Sequence, residues 1–168
     1  MLPASLVLSP GLIDADQELA KLNGLMGDKS LDGPLFSPNT ARAILTIAQE
    51  VLGGEIEGAK KNYDSAVAHL ERAVRLEDAL VYTEPAEFHF PPRQALGAVL
   101  LDAGRPAEAE TVYWEDLRRN KENGWSLFGL MQALKAQAKN DDAALVEARF
   151  KKAWAGADVK LSSSRFGQ

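Results

Sequence analysis

The stretch from Arg93 to Tyr113, which reads RQALGAVLLDAGRPAEAETVY, determines how the rest of the chain is interpreted. Apolar residues recur three and four positions apart on both sides of Gly104-Arg105-Pro106, which is the spacing of one face of an α-helix. Glycine favours the end of a helix and proline favours the first turn of the next one. The stretch therefore predicts a helix, a tight turn and a second helix.

The same pattern returns 34 residues further along the chain. The aligned pairs are Leu96 with Leu130, Leu100 with Leu134, Ala109 with Ala143, and Val112 with Val146. A helical pair has an apolar face that it cannot bury alone, and stacking similar pairs covers that face. The fixed period therefore predicts several helical pairs that stack on one another.

The repeated residues resemble the tetratricopeptide repeat family. Leu96-Gly97 matches the pattern of its first helix, and Ala109 with Tyr113 four residues later matches that of its second, while Arg93 replaces the usual tryptophan. A looser unit contains Leu127, Leu130 and Ala143, with Met131 in place of glycine and Glu147 in place of the aromatic residue, and an earlier unit contains Tyr63, Ala66, Leu70 and Ala73. The stretch from Leu76 to Arg105 also looks like the C-terminal part of longer bacterial repeat proteins, which would make this chain a fragment or a short relative of one.

The resemblance implies an all-α fold, a right-handed α-α superhelix of about three helical pairs with a lead helix and a C-terminal cap. We expect residues 1–36 to form the lead segment, 37–156 the repeats, and 157–168 the tail. Within the repeats, we expect pairs at 37–81, 91–120 and 124–156, with a loop insertion at 82–90. The individual helices are predicted at about 14–26, 37–60, 63–81, 92–103, 106–119, 124–138 and 141–155, with Ser37-Pro38 as the N-cap and first residue of the second.

Composition excludes several classes of function. The chain has 168 residues, of which 46% are hydrophobic and 26% charged, as expected of a globular protein. It has no cysteine and only two histidines, so disulfides, thiolate metal sites and cysteine nucleophiles are excluded. No signal sequence or membrane span is visible, which favours a cytoplasmic location.

The charge is negative overall but unevenly distributed. A net charge of −5 argues against nucleic acid and membranes as partners. Residues 118–168 nevertheless hold ten Lys and Arg against five Asp and Glu, whereas the first 117 residues hold nine against nineteen. Solvated helix faces explain this most simply. A bipolar surface that orients a charged partner is the alternative.

In the family that the sequence resembles, the first helices line a concave groove. This resemblance implies a set of groove residues: Glu55, Gln94, Leu101, Trp125, Phe128, Gln132 and Lys135. For the tryptophans, packing between helices is the more frequent role. Some family members hold a C-terminal carboxylate with several Lys, Arg and Asn side chains, but Lys135 alone is suitably charged here, which argues against that mode.

The insertion contains the most unusual residues, with Tyr82, Glu84, His89 and Arg93 as the residues of interest. Carboxylates and an imidazole could in principle bind a metal. However, the loop has no HExxH motif and no ligand pair at helical spacing, so a proline-stiffened loop with Phe88 and Phe90 packed on the solenoid is favoured. We expect Arg93 to bond to Glu84 or to a loop carbonyl.

Two other motifs are interpreted as structural. Ser65 and His69 lie one helical turn apart with Asp64 beside them, but neighbours on one helix cannot orient a catalytic imidazole from its far side. Gly53-Gly54 lacks the residues of a phosphate loop, so close helix packing is the expected role.

These observations favour a non-catalytic protein-interaction scaffold that binds a peptide or protein in its groove, with no cofactor and no metal. The first alternative is a structural or assembly segment of a larger protein, with self-association through the exposed repeat ends. The least favoured alternative is a metal or catalytic site at residues 82–93.

Overall fold

A computed structural model describes residues 10–33 and 38–165 of the chain. Within those ranges the protein is entirely helical, with seven α-helices, one short 3-10 helix at Lys29–Asp32 and no β-strand. The α-helices are α1 Pro10–Leu25, α2 Ala41–Ala59, α3 Tyr63–Asp78, α4 Pro92–Asp102, α5 Pro106–Arg119, α6 Gly124–Ala136 and α7 Asn140–Ala153. The predicted all-α fold is thus confirmed for the described residues. None of their helices combines the length and the apolarity needed to cross a membrane.

The helix ends follow local capping chemistry. Proline begins α4 and α5, as predicted, and Gly104 has a φ of +70° in the turn between these helices. The predicted start of the second helix is wrong, because the side chain of Thr40 accepts a hydrogen bond from the backbone N–H of Ala43 and caps α2 there. Ser37 lies outside the described residues.

The third helix is shorter than predicted. It ends at Asp78 rather than at residue 81, because the backbone N–H and C=O of Val81 are both bonded to the side chain of Asn39. This pairing draws the chain away from the helix axis. The loop between α3 and α4 therefore spans residues 79–91, which includes the predicted insertion at 82–90.

The helices stack as three pairs, α2 with α3, α4 with α5, and α6 with α7. The backbones of the first helices also approach one another closely, α2 with α4 and α4 with α6, whereas among the described residues no such close backbone approach joins α3, α5 and α7. We call α2, α4 and α6 the inner layer. The lead helix α1 packs on α2, where Lys60 Nζ lies 3.1 Å from Asp16 Oδ1. The superhelical handedness and the tetratricopeptide assignment remain predictions.

The core is centred on the ring of Tyr113 in α5, which is fully buried between two inner helices. A Cβ atom on Gly97 of α4 would lie 2.4 Å from this ring, and one on Gly129 of α6 would lie 2.2 Å from it. Any larger residue at either position would therefore collide with the aromatic ring. The Leu96-Gly97 motif and the aromatic Tyr113 thus form one packing unit.

The C-terminal segment corrects another prediction. We expected it to cap the last pair, but its last described residues lie on the inner layer. Trp154 Nε1 donates to the carbonyl of Val159 at 2.7 Å, after which Ser164 bonds to α4 and Arg165 to α2. The hydrogen-bond and ion-pair partners of Ser164 and Arg165 lie on the inner layer, and these contacts account for the course of the segment. A segment that capped the last helical pair would not make them.

Candidate functional site

The candidate site is the surface of the inner layer on which residues 162–165 lie, which we call the groove. Ser162, Ser163 and Ser164 border a cavity of about 300 Å³ together with residues of α4 and α6. The helical residues that line this cavity are Ala98, Leu101, Asp102, Phe128, Gly129, Gln132 and Ala136. Small side chains at several of these positions let a polypeptide backbone approach the helices closely.

An acidic pair holds the arginine at the end of this segment. Arg165 is only 6% exposed, and its guanidinium donates to Glu55 of α2 at 3.1 Å and to Asp102 at the end of α4. Burial raises the pKa of Glu55 above its ordinary value, and the positive charge of Arg165 opposes that effect. The Nε atom of Arg165 is buried without a hydrogen-bond partner among the described residues. The groove therefore encloses a cation between two inner helices.

A hydroxyl position lies beside the acidic pair. Ser164 is 2% exposed, and its Oγ lies 3.0 Å from the carbonyl oxygen of Gln94 and 2.6 Å from the hydroxyl of Tyr113. Because the carbonyl can only accept, Ser164 donates to Gln94 and accepts from Tyr113. Burial raises the pKa of Tyr113, so its hydroxyl stays a donor. The tyrosine thus joins the core directly to the segment in the groove.

The third part of the groove is an apolar cavity of about 640 Å³ beside α2. It lies between α2 and the chain that leads into α4, with Glu55 and Arg165 among its lining residues. Its apolar lining includes Ile44, Ala48, Val51, Leu52, Phe88 and Phe90. The segment runs from α6 across α4 towards this cavity, so the groove has a small-residue part, a charged part and an apolar part in that order.

Most residues that the resemblance assigned to the groove lie along it. Leu101, Phe128 and Gln132 line the cavity beside the serines, and Glu55 bonds to Arg165. Gln94 contributes its backbone carbonyl to Ser164, while its side-chain amide donates to Asn123 at 3.1 Å.

The other two assigned residues face α7. The Trp125 ring packs edge-on against Trp154, with 5.5 Å between the ring centroids, and Lys135 Nζ lies 3.0 Å from Glu147 of α7. Phe150 lies between Trp154 and Phe128, so four aromatic rings form a row that joins the last two helices. This row holds the last pair together, as expected of tryptophans that pack between helices.

The loop residues do not converge on a common point. Tyr82 is 80% exposed and donates to Glu84, whereas the His89 ring packs against Phe90 at 4.5 Å between centroids. Glu87, the other acidic residue of the loop, accepts a hydrogen bond from the side-chain amide of Asn39, which precedes α2. The described residues contain no group of three or more histidines and acidic residues that could hold a metal ion.

Arg93 has a different partner from the one expected. The prediction that it bonds to Glu84 or to a loop carbonyl is wrong, because its guanidinium forms a bidentate pair with Asp78 at 2.9 and 2.6 Å. It also donates to Glu77 at 3.3 Å. The Nη1 atom of Arg119 in α5 lies 2.7 Å from Oδ1 of Asp78. This cluster joins the end of α3 to the start of α4 and the end of α5.

The two carboxylates of the cluster have pKa values that are shifted in opposite directions. The hydrogen bond from Arg93 lowers the pKa of Asp78, whereas burial raises the pKa of Glu77 to about 7. Three elements meet at this point, and ion pairs rather than apolar side chains join them.

Sequence reasoning missed Asp102, Tyr113, Ser164 and Arg165 as parts of the groove. Tyr113 was assigned to packing alone, and the tail was assigned to the end of the stack. One signal was present in the sequence, since Arg165 is an isolated arginine that follows three serines in an otherwise acidic protein. Its partners lie 110 and 63 residues earlier in the chain, and no local pattern could identify them.

The fold and the groove define a class of all-α protein in which stacked helical pairs present one layer of helices to a non-helical segment. No family model, curated protein or solved structure matches this chain.

Proposed function

We propose that the protein is a non-catalytic interaction scaffold that binds a peptide or protein segment in the groove. One observation carries the proposal: the groove already holds a bent, non-helical stretch of polypeptide, residues 162–165, through an ion pair and two hydroxyl hydrogen bonds. A surface that accommodates a backbone and two side chains in this way has the properties of a peptide-binding site. A cytoplasmic location remains part of the proposal.

The chemistry of the groove also supports binding rather than catalysis. The polar groups that bond to the segment are an ion pair and hydroxyls that are matched donor to acceptor. Gln132, Glu87 and His89 also line the groove, and Glu87 accepts a hydrogen bond from Asn39. Tyr113 has a raised pKa, which makes it a poor base and a poor nucleophile at neutral pH. His69, the histidine nearest to a catalytic pattern, bonds to Glu50 at 2.6 Å and contacts Arg72 rather than Ser65.

Site-specific photocrosslinking in the full chain tests the location of the binding surface. A photoreactive amino acid replaces Gln132, which is exposed and lines the groove. In a matched variant it replaces Thr111, which is exposed on α5, a helix that is not part of the inner layer. We expect that a protein co-purifying with the chain crosslinks from position 132 and not from position 111. Crosslinking from 111 alone would contradict the groove assignment.

A second candidate function is assembly through the ends of the stack. Leu25 of α1 and Leu145 of α7 are 58% and 68% exposed, and each lies on a terminal helix. Exposed leucines on end helices favour contact with a further helix. A Leu145→Glu variant that loses self-association in sedimentation would support this candidate, and a wild-type chain that stays monomeric at high concentration would contradict it.

A further inference from the structure

We propose that residues 162–165 are an intramolecular pseudo-ligand of the groove, and that the partner which displaces them is a segment with a small hydroxyl residue, an adjacent arginine and a large apolar residue near the arginine. The inference rests on the proposed function and specifies its partner and its regulation. It follows from three adjacent parts of the groove, each with a distinct chemical demand.

The charged part demands a cation that reaches two helices at once. Arg165 Nη1 bonds to Glu55 and Nη2 to Asp102, so the two ends of one planar guanidinium reach two carboxylates. Without the arginine, the two negative charges would face each other in a partly buried site, which is unfavourable. A lysine ammonium is a single point of charge, so the geometry favours arginine over lysine in the partner.

The adjacent part demands a hydroxyl. The Tyr113 O–H donates and the Gln94 carbonyl accepts at the position of Ser164, and both groups are buried there. Serine or threonine satisfies both, whereas alanine would leave a buried donor and a buried acceptor unpaired. Because the Tyr113 ring is enclosed between Gly97 and Gly129, its hydroxyl oxygen is held at this position.

The apolar part lies beside the arginine. Arg165 itself lines the apolar cavity of about 640 Å³, together with Val51, Leu52 and Phe88. A partner with a large apolar residue near its arginine therefore has a cavity within reach that can hold that side chain. Burying a large apolar side chain there adds affinity that does not depend on charge.

The occupying segment is attached in a way that permits its displacement. Between the Val159 carbonyl, which is bonded to Trp154, and the buried Ser164, the chain includes the exposed Lys160 and Ser162. A short flexible tether gives a segment an effective concentration of about millimolar, which an external ligand must exceed through its own affinity. The tail therefore raises the affinity that a partner needs, and it excludes segments that lack the hydroxyl-arginine pair.

Fluorescence anisotropy with a labelled peptide tests the inference on the full chain. The probe is the synthetic peptide VKLSSSRFGQ, which has the sequence of residues 159–168. We expect Arg165→Ala in the chain to tighten binding of this probe by about tenfold or more relative to wild type, because the intramolecular competitor is weakened. Lys160→Ala, which removes one positive charge from an exposed position of the same tail, should bind the probe as wild type does.

Two further comparisons assign the effect to the acidic pair. Adding Glu55→Gln to the Arg165→Ala chain should weaken binding by about tenfold, and a probe with alanine in place of its arginine should lose binding by a similar factor. Circular dichroism of each variant establishes that it is folded. As a measurement that needs no variant, excess probe should increase deuterium uptake of residues 159–165 in the wild-type chain.

Each result supports or overturns the inference. A folded Arg165→Ala chain that does not bind the probe, together with unchanged wild-type deuterium uptake, would overturn it, while crosslinks from position 132 would still support the proposed function. Crosslinks from position 111 alone would overturn the proposed function as well. A wild-type dimer that Arg165→Ala converts to a monomer would show that the tails exchange between copies, and would overturn the assignment to a separate partner.

Discussion

The inner helices α4 and α2 occupy equivalent places in successive pairs but differ in burial. Nine of the eleven residues of α4 are buried, against four of the nineteen residues of α2. The middle helix has an inner helix on each side and the C-terminal segment above it, whereas α2 borders the open apolar cavity. The groove therefore has a closed half over α4 and an open half over α2, and the two halves should respond differently to substitution.

The largest expected effect is at Gly97 of α4. Gly97→Ala should reduce the free energy of unfolding by about 3 kcal/mol or more, because the added Cβ collides with a tyrosine ring that is itself held against Gly129. Chemical denaturation followed by circular dichroism measures the loss. Gly24→Ala in α1 is the matched control, since nothing lies within 4 Å of its Cβ position, and it should be neutral or stabilising by up to about 1 kcal/mol. Equal losses in both variants would contradict the role of the ring.

The next largest effect is the difference between leucines in the two halves of the groove, measured as the loss of stability on substitution by alanine. Leu96→Ala in α4, where the side chain is 4% exposed in the core, should cost about 2 to 4 kcal/mol because it leaves a cavity. Leu52→Ala in α2 should cost about 1 kcal/mol, since its half-buried side chain already borders an open cavity. Urea unfolding of both variants gives the comparison, and a larger loss at Leu52 would show that the open half is closed in solution.

The attachment of α4 to α3 should depend on pH. Glu77 has a pKa of about 7 in the folded chain, above its ordinary value of 4.5, because it is buried. Because the pKa of Glu77 is higher in the folded than in the unfolded chain, its contribution to the free energy of unfolding is fully present below about pH 4.5. That contribution is lost as the pH rises through about 7. Glu77→Gln should therefore be more stable than wild type at pH 8, by up to about 3 kcal/mol, and this difference should disappear near pH 4.5.

Thermal unfolding of wild type and Glu77→Gln from pH 4.5 to pH 8 measures this difference. Glu71→Gln, at an exposed position of the same helix, serves as the control and should follow wild type at every pH. A wild-type chain that gains stability relative to Glu77→Gln as the pH rises would show that Arg93 outweighs burial at this carboxylate.

The smallest expected effect is at the contact between the core and the tail. Tyr113→Phe removes one hydrogen bond to Ser164 and should cost about 1 kcal/mol, because Ser164 retains the carbonyl of Gln94. Hydrogen exchange of residues 162–165 should accelerate in this variant while exchange in α4 changes little. Acceleration throughout α4 would show that the two are one cooperative unit.

The closed half was also the more predictable half. Pro92 and Pro106 mark the starts of α4 and α5 in the sequence, and Leu96-Gly97 with Tyr113 identifies the packing unit, because these features depend on local backbone geometry and on helical spacing. The end of α3 was not predictable in the same way. There, the side chain of Asn39 takes both backbone groups of Val81, and the two residues are 42 positions apart.

The sequence predicted the helices that line the groove but not the segment that occupies it. The resemblance implied that the first helices line a groove, and Glu55, Leu101 and Gln132 lie along it. The occupant was missed because Ser164 and Arg165 have no helical period and their partners are distant in sequence. Arg93 was misjudged for a related reason, since Glu84, an acidic residue of the same loop, was preferred over Asp78 at the end of the previous helix.

The bond between Arg165 and Glu55 closes a loop of 110 residues in a fold whose other contacts mostly join neighbouring helices. Helical pairs with local contacts form quickly. A contact between residues so far apart in sequence can form only after the helices between them have stacked. Docking of the tail should therefore be a late and separate kinetic step, after all three pairs are in place. During that interval the groove is folded and unoccupied, so a partner present at that time encounters it without competition.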